Sequence, residues 1–183
     1  MEHVPARELV DVHGAPVRLP NPDRLVHLQF RRFAGCPVCN LHLRSFVARH
    51  EEVEAAGVHE VVVFHTNTAD LLPHVADLPF DVVADPAKDL YREFGVEYSP
   101  RSLLHPKAWP WIVRAVAAAL PDVVRKRKPA PPPRPEGGRL GLPADFLIAP
   151  DGRVLASHHG RHVYDQWSVD ELLDLSPVRL RRT

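Results

Sequence analysis

The chain has 183 residues, of which 45% are hydrophobic and 25% are charged, as in an ordinary globular protein. Lysine and arginine together number 23, and so do aspartate and glutamate, so the charge balance gives no general reason to expect a nucleic-acid or membrane partner. The opening residues lack the apolar run of a signal peptide, and no stretch has the roughly 18 apolar residues of a membrane span. We therefore expect a single cytoplasmic domain over 1–183.

The first predicted elements alternate between strand and helix. An apolar strand over 25–30 precedes a helix that begins at the two cysteines and stops at Gly57. The continuous apolar core of 58–66 is typical of a strand covered on both faces, as in a parallel sheet. Capping residues at 66–68 then begin a short helix that runs through Ala76.

The later elements continue this alternation and end in a hairpin. A strand over 80–85 precedes a helix over 86–96, which starts with proline and stops at Gly95. Two apolar runs within 144–160 flank a Pro-Asp-Gly turn, and Ser168 with Glu171 forms a capping box for a helix over 168–175. This order predicts an α/β protein with a central mixed β-sheet flanked by helices.

Residues 99–142 interrupt the pattern and are predicted to be an insertion before the late hairpin. The segment 109–124 can form an amphipathic helix with Ile112, Val113, Val116, Leu120 and Val123 on one side. A basic, proline-rich linker over 125–138 follows it. We expect the helix to pack on its own domain as a lid over the cysteines. A homodimer is the close alternative, and binding to a membrane surface is the least favoured of the three.

The two cysteines of the chain lie in the motif CPVC, where the first strand meets the helix. Cys36 can occupy the helix N-terminus, with Cys39 about one turn further, so their thiols can approach each other. Unpaired N–H groups and the helix dipole favour a thiolate there, and Arg31, Arg32, His42 and Arg44 are candidate cationic neighbours. Pro37 suits the first helical turn, where its missing N–H costs little. A dithiol redox site is the favoured interpretation.

Two other interpretations of the pair stay open. Cys36, Cys39 and His42 could supply three ligands to a metal, and His158, His159 or His162 could complete the set. The cysteines could also be inert core residues. Inert cysteines are less favoured than the redox site, because a CxxC pair in this compartment is more often catalytic or metal-binding than structural. The metal site is less favoured, because a fourth metal ligand is not evident.

Several segments resemble peroxiredoxin-like proteins of the alkyl hydroperoxide reductase/thiol-specific antioxidant (AhpC/TSA) group. These segments are DVHGAPVRLP with FRRFAGCPVC, then LPFDVVADPAKDLYREFGV, and finally ADFLIAPDGRVLASHHG. The resemblance implies a thioredoxin-like fold, a nucleophilic Cys36 and a resolving Cys39. Arg32, Phe33, Pro37 and Pro143 are the supporting residues of this predicted site.

The sequence departs from the pattern of that group at three places. Typical members carry a Thr or Ser at the position of Phe33, so the hydroxyl that orients a peroxide is missing here. They also carry a Pro at the position of Gln29. The arginine that the group places before the late hairpin strand is also missing. Pro143 instead occupies the position at which thioredoxins hold a cis-proline facing the cysteines, so we expect a cis Leu142–Pro143 bond beside Cys36.

The sequence thus predicts a thiol oxidoreductase. Cys36 attacks a peroxide or a disulfide, Cys39 resolves the product, and a thioredoxin- or glutaredoxin-like protein restores the thiols. No cofactor or metal is expected. The alternative is a redox-responsive binding or sensor module on the same fold. From their order at the helix start, we expect Cys36 to be the more exposed and more acidic thiol, and Cys39 the more buried one.

Overall fold

The computed structural model describes residues 1–96, 98–99, 101–125, 129–130, 132, 134–135 and 138–176. The strands are β1 (Arg7–Val10), β2 (Pro16–Leu19), β3 (Leu25–Phe30), β4 (Val58–Phe64), β5 (Asp81–Ala84), β6 (Ala144–Ile148) and β7 (Val154–His159). The helices are α1 (Pro37–Ala48), α2 (His50–Ala55), α3 (Thr68–Val75), α4 (Asp89–Glu93), α5 (Arg101–Leu104), α6 (Trp109–Val124) and α7 (Val169–Leu175), with a 3₁₀ turn at Pro106–Ala108.

The central sheet has five strands in the order β5-β4-β3-β6-β7. Strand β3 pairs in parallel with β4 and β4 in parallel with β5, whereas β6 runs antiparallel to both β3 and β7. The predicted mixed sheet is therefore confirmed. Strands β1 and β2 form a separate antiparallel hairpin at the N-terminus, which the sequence did not predict.

Each face of the sheet carries its own apolar core. One core joins the sheet to α1, α3 and α7, and includes Phe46, Leu71 and Leu172. The other core joins it to α4 and to the N-terminal hairpin, and includes Phe30 and Phe94. Side chains alternate between the faces along β3, so Val26, Leu28 and Phe30 enter the second core. The intervening His27 and Gln29 are also buried, and they point toward the α1 side.

Local hydrogen bonds explain where the observed helices differ from the predicted ones. Helix α4 begins at Asp89, not at Pro86, because the Asp85 carboxylate accepts the N–H groups of Asp89 and Leu90 at 3.0 and 2.9 Å. The predicted first helix is broken at Arg49 into α1 and α2. The capping box at Ser168 and Glu171 is present as predicted.

Helix α6 spans the segment predicted for it but turns its other side to the protein. It packs against α1, where Ala115 is buried and Asp122 lies 3.5 Å from Arg44. The small side chain of Ala115 allows the two helices to approach closely, and Ile112 and Val123 of the predicted stripe are partly buried. The predicted burial of Val113, Val116 and Leu120 is wrong, because all three are exposed.

The division of the chain at 99 and 142 stays a prediction, and residues 126–128 of the basic run lie outside the described residues. Within the described part of the chain, no helix has both the length and the apolar character needed to cross a bilayer.

Candidate active site

The loop between β3 and α1 holds the cysteines at a helix N-terminus. The N–H of Ala34 donates to the Thr66 hydroxyl at 3.0 Å, which ties the loop to the end of β4. Gly35 has φ +72°, a conformation that glycine adopts without strain, and Pro37 follows at the first helical position. Cys36 is the N-cap of α1, as the sequence predicted.

The two sulfurs lie close together and are both buried. Their Sγ atoms are 2.8 Å apart, and the backbone N–H of Cys39 donates to Cys36 Sγ at 3.3 Å. Because a disulfide bond is about 2.05 Å long, a movement below 1 Å would bring the sulfurs into bonding distance. Cys36 is 2% exposed and Cys39 is 4% exposed, so the predicted greater exposure of Cys36 is wrong.

Arg32 is the cationic partner of the pair. Its Nη2 donates to Cys36 Sγ at 2.9 Å, and its Nη1 donates to the carbonyl of Arg139 at 3.0 Å. Its guanidinium carbon lies 5.5 Å from the centre of the Phe33 ring, which is cation–π distance. Burial alone would lower the pKa of Arg32, but the charges of Cys36 and Cys39 raise it, so this side chain stays cationic.

The thiols share one proton and ionise as a pair. Burial raises the pKa of Cys39, but the hydrogen bond with Cys36 and the charge of Arg32 outweigh burial and lower it to about 6. Burial and the hydrogen bond with Cys39 raise the pKa of Cys36. These pKa shifts make Cys39 the more acidic thiol, which is the reverse of the order predicted from the sequence.

The hydrogen bonds favour Cys36 Sγ, not Cys39 Sγ, as the site of the negative charge. Cys36 Sγ accepts from the Arg32 guanidinium, from the Cys39 N–H and from the Cys39 thiol. The two Sγ atoms are 2.8 Å apart, so transfer of one proton from Cys39 to Cys36 moves the negative charge from Cys36 to Cys39. Three donors converge on Cys36 Sγ, and each would stabilise a negative charge on that sulfur. The pKa of Cys39, lowered to about 6, and the raised pKa of Cys36 indicate that the pair loses one proton near pH 6 and retains the second.

Replacing Arg32 by glutamine should raise the pKa of the first ionisation and slow thiol alkylation at mildly acidic pH. Alkylation by iodoacetamide, followed against pH, should have a midpoint near 6 in the natural protein. We expect about a tenfold loss of rate below the new midpoint for each pH unit of upward shift. Arg44→Gln is the matched control, since Arg44 is an exposed arginine of α1, the helix that Cys36 caps. An unchanged midpoint in Arg32→Gln would refute the role of Arg32.

A small cavity of about 20 Å³ reaches both sulfurs. Its walls include Phe64, Val75 and His74, the last of which approaches the loop so closely that a Cβ on Gly35 would lie 2.6 Å from its ring. A cavity needs roughly 10–15 Å³ to hold one water molecule, so the open space beside the sulfurs is small. Sequence reasoning missed His74, because only the packing of α3 brings it to the cysteines.

A buried network of polar side chains lies on the α1 face of the sheet. Arg31 Nη2 donates to Asp145 Oδ1 at 2.8 Å, and His27 Nε2 lies 3.2 Å from the same oxygen. Gln29 donates to Glu60 at 3.0 Å. Burial alone would raise the pKa of Asp145, but the charge of Arg31 and the hydrogen bond with His27 hold it far below its ordinary value. Sequence reasoning singled out Arg31 but missed Asp145 and Glu60.

The other residues considered from the sequence lie elsewhere. His42 packs against Phe46, with ring centres 5.0 Å apart. Burial and the charge of Arg31 hold the pKa of His42 well below its ordinary value, so it is not a cationic partner at neutral pH. Arg44 pairs with Asp122 at the surface. Among the described residues, no group of three His, Cys, Asp or Glu side chains is arranged to hold a metal ion.

The predicted cis Leu142–Pro143 bond is wrong. The Leu142–Pro143 bond is trans, and Pro143 lines a separate cavity of about 470 Å³ together with His105 and His159. The predicted lid is also different from the observed cover. Helix α6 does not line the cysteine cavity, whereas Arg139, at the end of the predicted insertion, bonds to Arg32 through its carbonyl.

The sequence model of the AhpC/TSA antioxidant enzyme family matches residues 45–162. The chain belongs to this family. The expected resemblance is therefore confirmed, and with it an enzyme of the thiol peroxidase or oxidoreductase kind. The match begins after Cys39, so the roles of the two cysteines rest on their geometry. No curated protein matches the chain.

Solved peroxiredoxins share the fold of this family member. A serine-for-cysteine mutant of peroxiredoxin 6 from Arenicola marina has a TM-score of 0.68 and 16% identity, and the match covers 100% of this chain and 74% of that one. Peroxidoxin BcpB from Mycobacterium tuberculosis has a TM-score of 0.64 and 18% identity, with coverages of 100% and 97%. Peroxiredoxin Q from Xanthomonas campestris has a TM-score of 0.61 and 16% identity, and the match covers 97% of this chain and 92% of that one. At these identities the likeness shows the thioredoxin-like fold.

Proposed function

We propose that this AhpC/TSA family member reduces small peroxides with Cys36 and resolves the product with Cys39. The observation that supports this proposal best is the size of the cavity over the sulfurs, about 20 Å³. Hydrogen peroxide is little larger than water, whereas a protein disulfide could reach the sulfurs only after the loop or helix α1 moved. The trans Leu142–Pro143 bond removes one ground for the disulfide-exchange alternative.

The proposed reaction has two steps on the enzyme. The Cys36 thiolate attacks one peroxide oxygen, the O–O bond breaks, and the departing oxygen takes up a proton to leave as water or an alcohol. Cys36 is then a sulfenic acid. The Cys39 sulfur attacks Cys36, the S–O bond breaks, and water leaves, so that a Cys36–Cys39 disulfide remains. A thioredoxin- or glutaredoxin-like dithiol supplies the two electrons that restore both thiols.

Two neighbouring residues and the ionisation of the pair support the first step. The guanidinium of Arg32 stabilises the thiolate and can donate to a peroxide oxygen, a role for which Phe33 offers no hydroxyl. The pair's first ionisation near pH 6 keeps about nine-tenths of the sites ionised at neutral pH. His74 closes the cavity, which limits the substrate to small peroxides.

The cytoplasm, where dithiol reductants are abundant, is the proposed location.

The test is a comparison of oxidants on the reduced protein. Hydrogen peroxide should oxidise it at least about a hundredfold faster than a model disulfide, with loss of two thiols per chain, because a thiolate reached only by small molecules discriminates by access. Cumene hydroperoxide should be slow, and His74→Ala should speed it selectively. His13→Ala, which changes an exposed histidine, serves as the control.

A faster reaction with the disulfide would refute the peroxidase proposal in favour of disulfide exchange. Slow oxidation by every oxidant would favour a redox-responsive binding module on the same fold.

A further inference from the structure

Helix α6 presents an apolar ridge to solvent. Trp109, Val113, Val116, Leu120 and Val124 are between 48% and 69% exposed and recur every three or four residues, so they lie along one side of the helix. We call these five residues the α6 ridge. Isolated exposed apolar residues are ordinary, but a contiguous row of this kind marks a binding surface.

The ridge lies in the basic part of an otherwise acidic chain. Residues 99–142 contain nine lysines and arginines against two aspartates and glutamates, whereas the rest of the chain contains 14 against 21. Lys107, Arg114 and Arg125 are exposed and stand next to the ridge in sequence at its start, middle and end. The charge around the ridge therefore favours an anionic partner.

The same charges oppose pairing of the ridge with a second copy of itself. In an antiparallel pair centred on Val116, Arg125 of one copy would lie near Lys107 of the other. The ridge is also the convex side of a single helix, whereas a stable protein interface buries roughly 800 Å² per partner.

We propose that the α6 ridge is a peripheral membrane-binding surface that docks on anionic lipid bilayers. A bilayer needs no complementary shape, so a convex helix suits it. The valines and Leu120 would enter the boundary between head groups and acyl chains, Trp109 would lie at the interface, and the flanking cations would contact lipid phosphates. Docking is separate from the thiol chemistry, because no ridge residue lines the cysteine cavity.

The test uses the full chain and sedimentation with lipid vesicles. Vesicles with about 30% phosphatidylserine should bind the protein at least about tenfold more tightly than pure phosphatidylcholine vesicles. Binding should weaken in about 1 M salt, where the Debye length falls to about 3 Å. Equal binding to the two kinds of vesicle, or none to either, would overturn the proposal.

The variant Val113→Glu/Leu120→Glu should lose at least about tenfold in vesicle affinity, since charged groups enter the acyl boundary poorly. Val10→Glu is the matched control, because Val10 is 61% exposed on the N-terminal hairpin. Arg114→Gln/Arg125→Gln keeps the apolar row and should weaken binding to anionic vesicles alone. Unchanged binding in both double variants would refute the proposal. So would a dimer in solution that Val113→Glu/Leu120→Glu dissociates, which would assign the ridge to contact between copies.

Discussion

Replacing Cys36 by serine should abolish peroxide consumption, with a rate loss of about three orders of magnitude or more, as for removal of an enzymatic nucleophile. The reason is that a serine hydroxyl does not ionise near pH 6, whereas the pair of thiols does. Stopped-flow measurement of peroxide consumption by the reduced protein gives the rate. Circular dichroism should show that the near-isosteric change leaves the fold intact.

Cys39→Ser is the matched variant for this prediction. It should keep the first step but stop at a sulfenic acid on Cys36, which dimedone labels and mass spectrometry locates. The opposite pattern, with Cys39→Ser inactive and Cys36→Ser reactive, would exchange the two roles. That outcome has a physical basis, because the balance of burial and charge places the low pKa on Cys39 while the hydrogen bonds converge on Cys36.

Replacing Asp145 by asparagine should lower the free energy of unfolding by about 3–5 kcal/mol, the usual cost of breaking a buried ion pair. Asp145 and Arg31 are both fully buried, and their side chains meet at 2.8 Å. Asparagine fits the space but leaves the Arg31 charge without a carboxylate. Urea denaturation gives the free energy. Asp81→Asn is the control, since Asp81 pairs with His59 at the same distance but both side chains are partly exposed, and such a pair contributes about 1 kcal/mol or less.

A second variant separates the ion pair from mere packing. Arg31→Met/Asp145→Leu removes both charges and should recover much of the loss, because apolar replacements of a buried pair are often neutral. A loss in Asp145→Asn no larger than in Asp81→Asn would contradict the prediction.

The buried groups Asp145 and His27 predict how the free energy of unfolding depends on pH. The pKa of Asp145 is lower in the folded protein than in the unfolded chain, so its contribution is present above the ordinary carboxyl range near 4 and is lost as the pH falls below it. Burial lowers the pKa of His27, but its bonds to Asp145 and Glu60 raise it overall. Its contribution is therefore complete below about 6.5 and is lost as the pH rises through its folded value.

The sequence by itself determined the strands of the central sheet, the order in which they alternate with the helices, and the place of CPVC at the start of α1. These features depend on short-range causes. A β-branched apolar run predicts β4, a proline after Cys36 suits the first turn of α1, and Ser168 with Glu171 caps α7. Each cause acts within a few residues, so it is visible in a window of the sequence.

Only the tertiary structure decided how those elements serve the site. It brought Arg32, not Arg31, to the sulfurs, buried both cysteines, placed His74 over them and joined Asp145 to Arg31 across the sheet. It also turned Ala115 of α6 inward and left Val113 and Val116 exposed. These outcomes depend on contacts between residues far apart in sequence. A helix with apolar residues on two sides carries no local signal of which side its neighbour will cover.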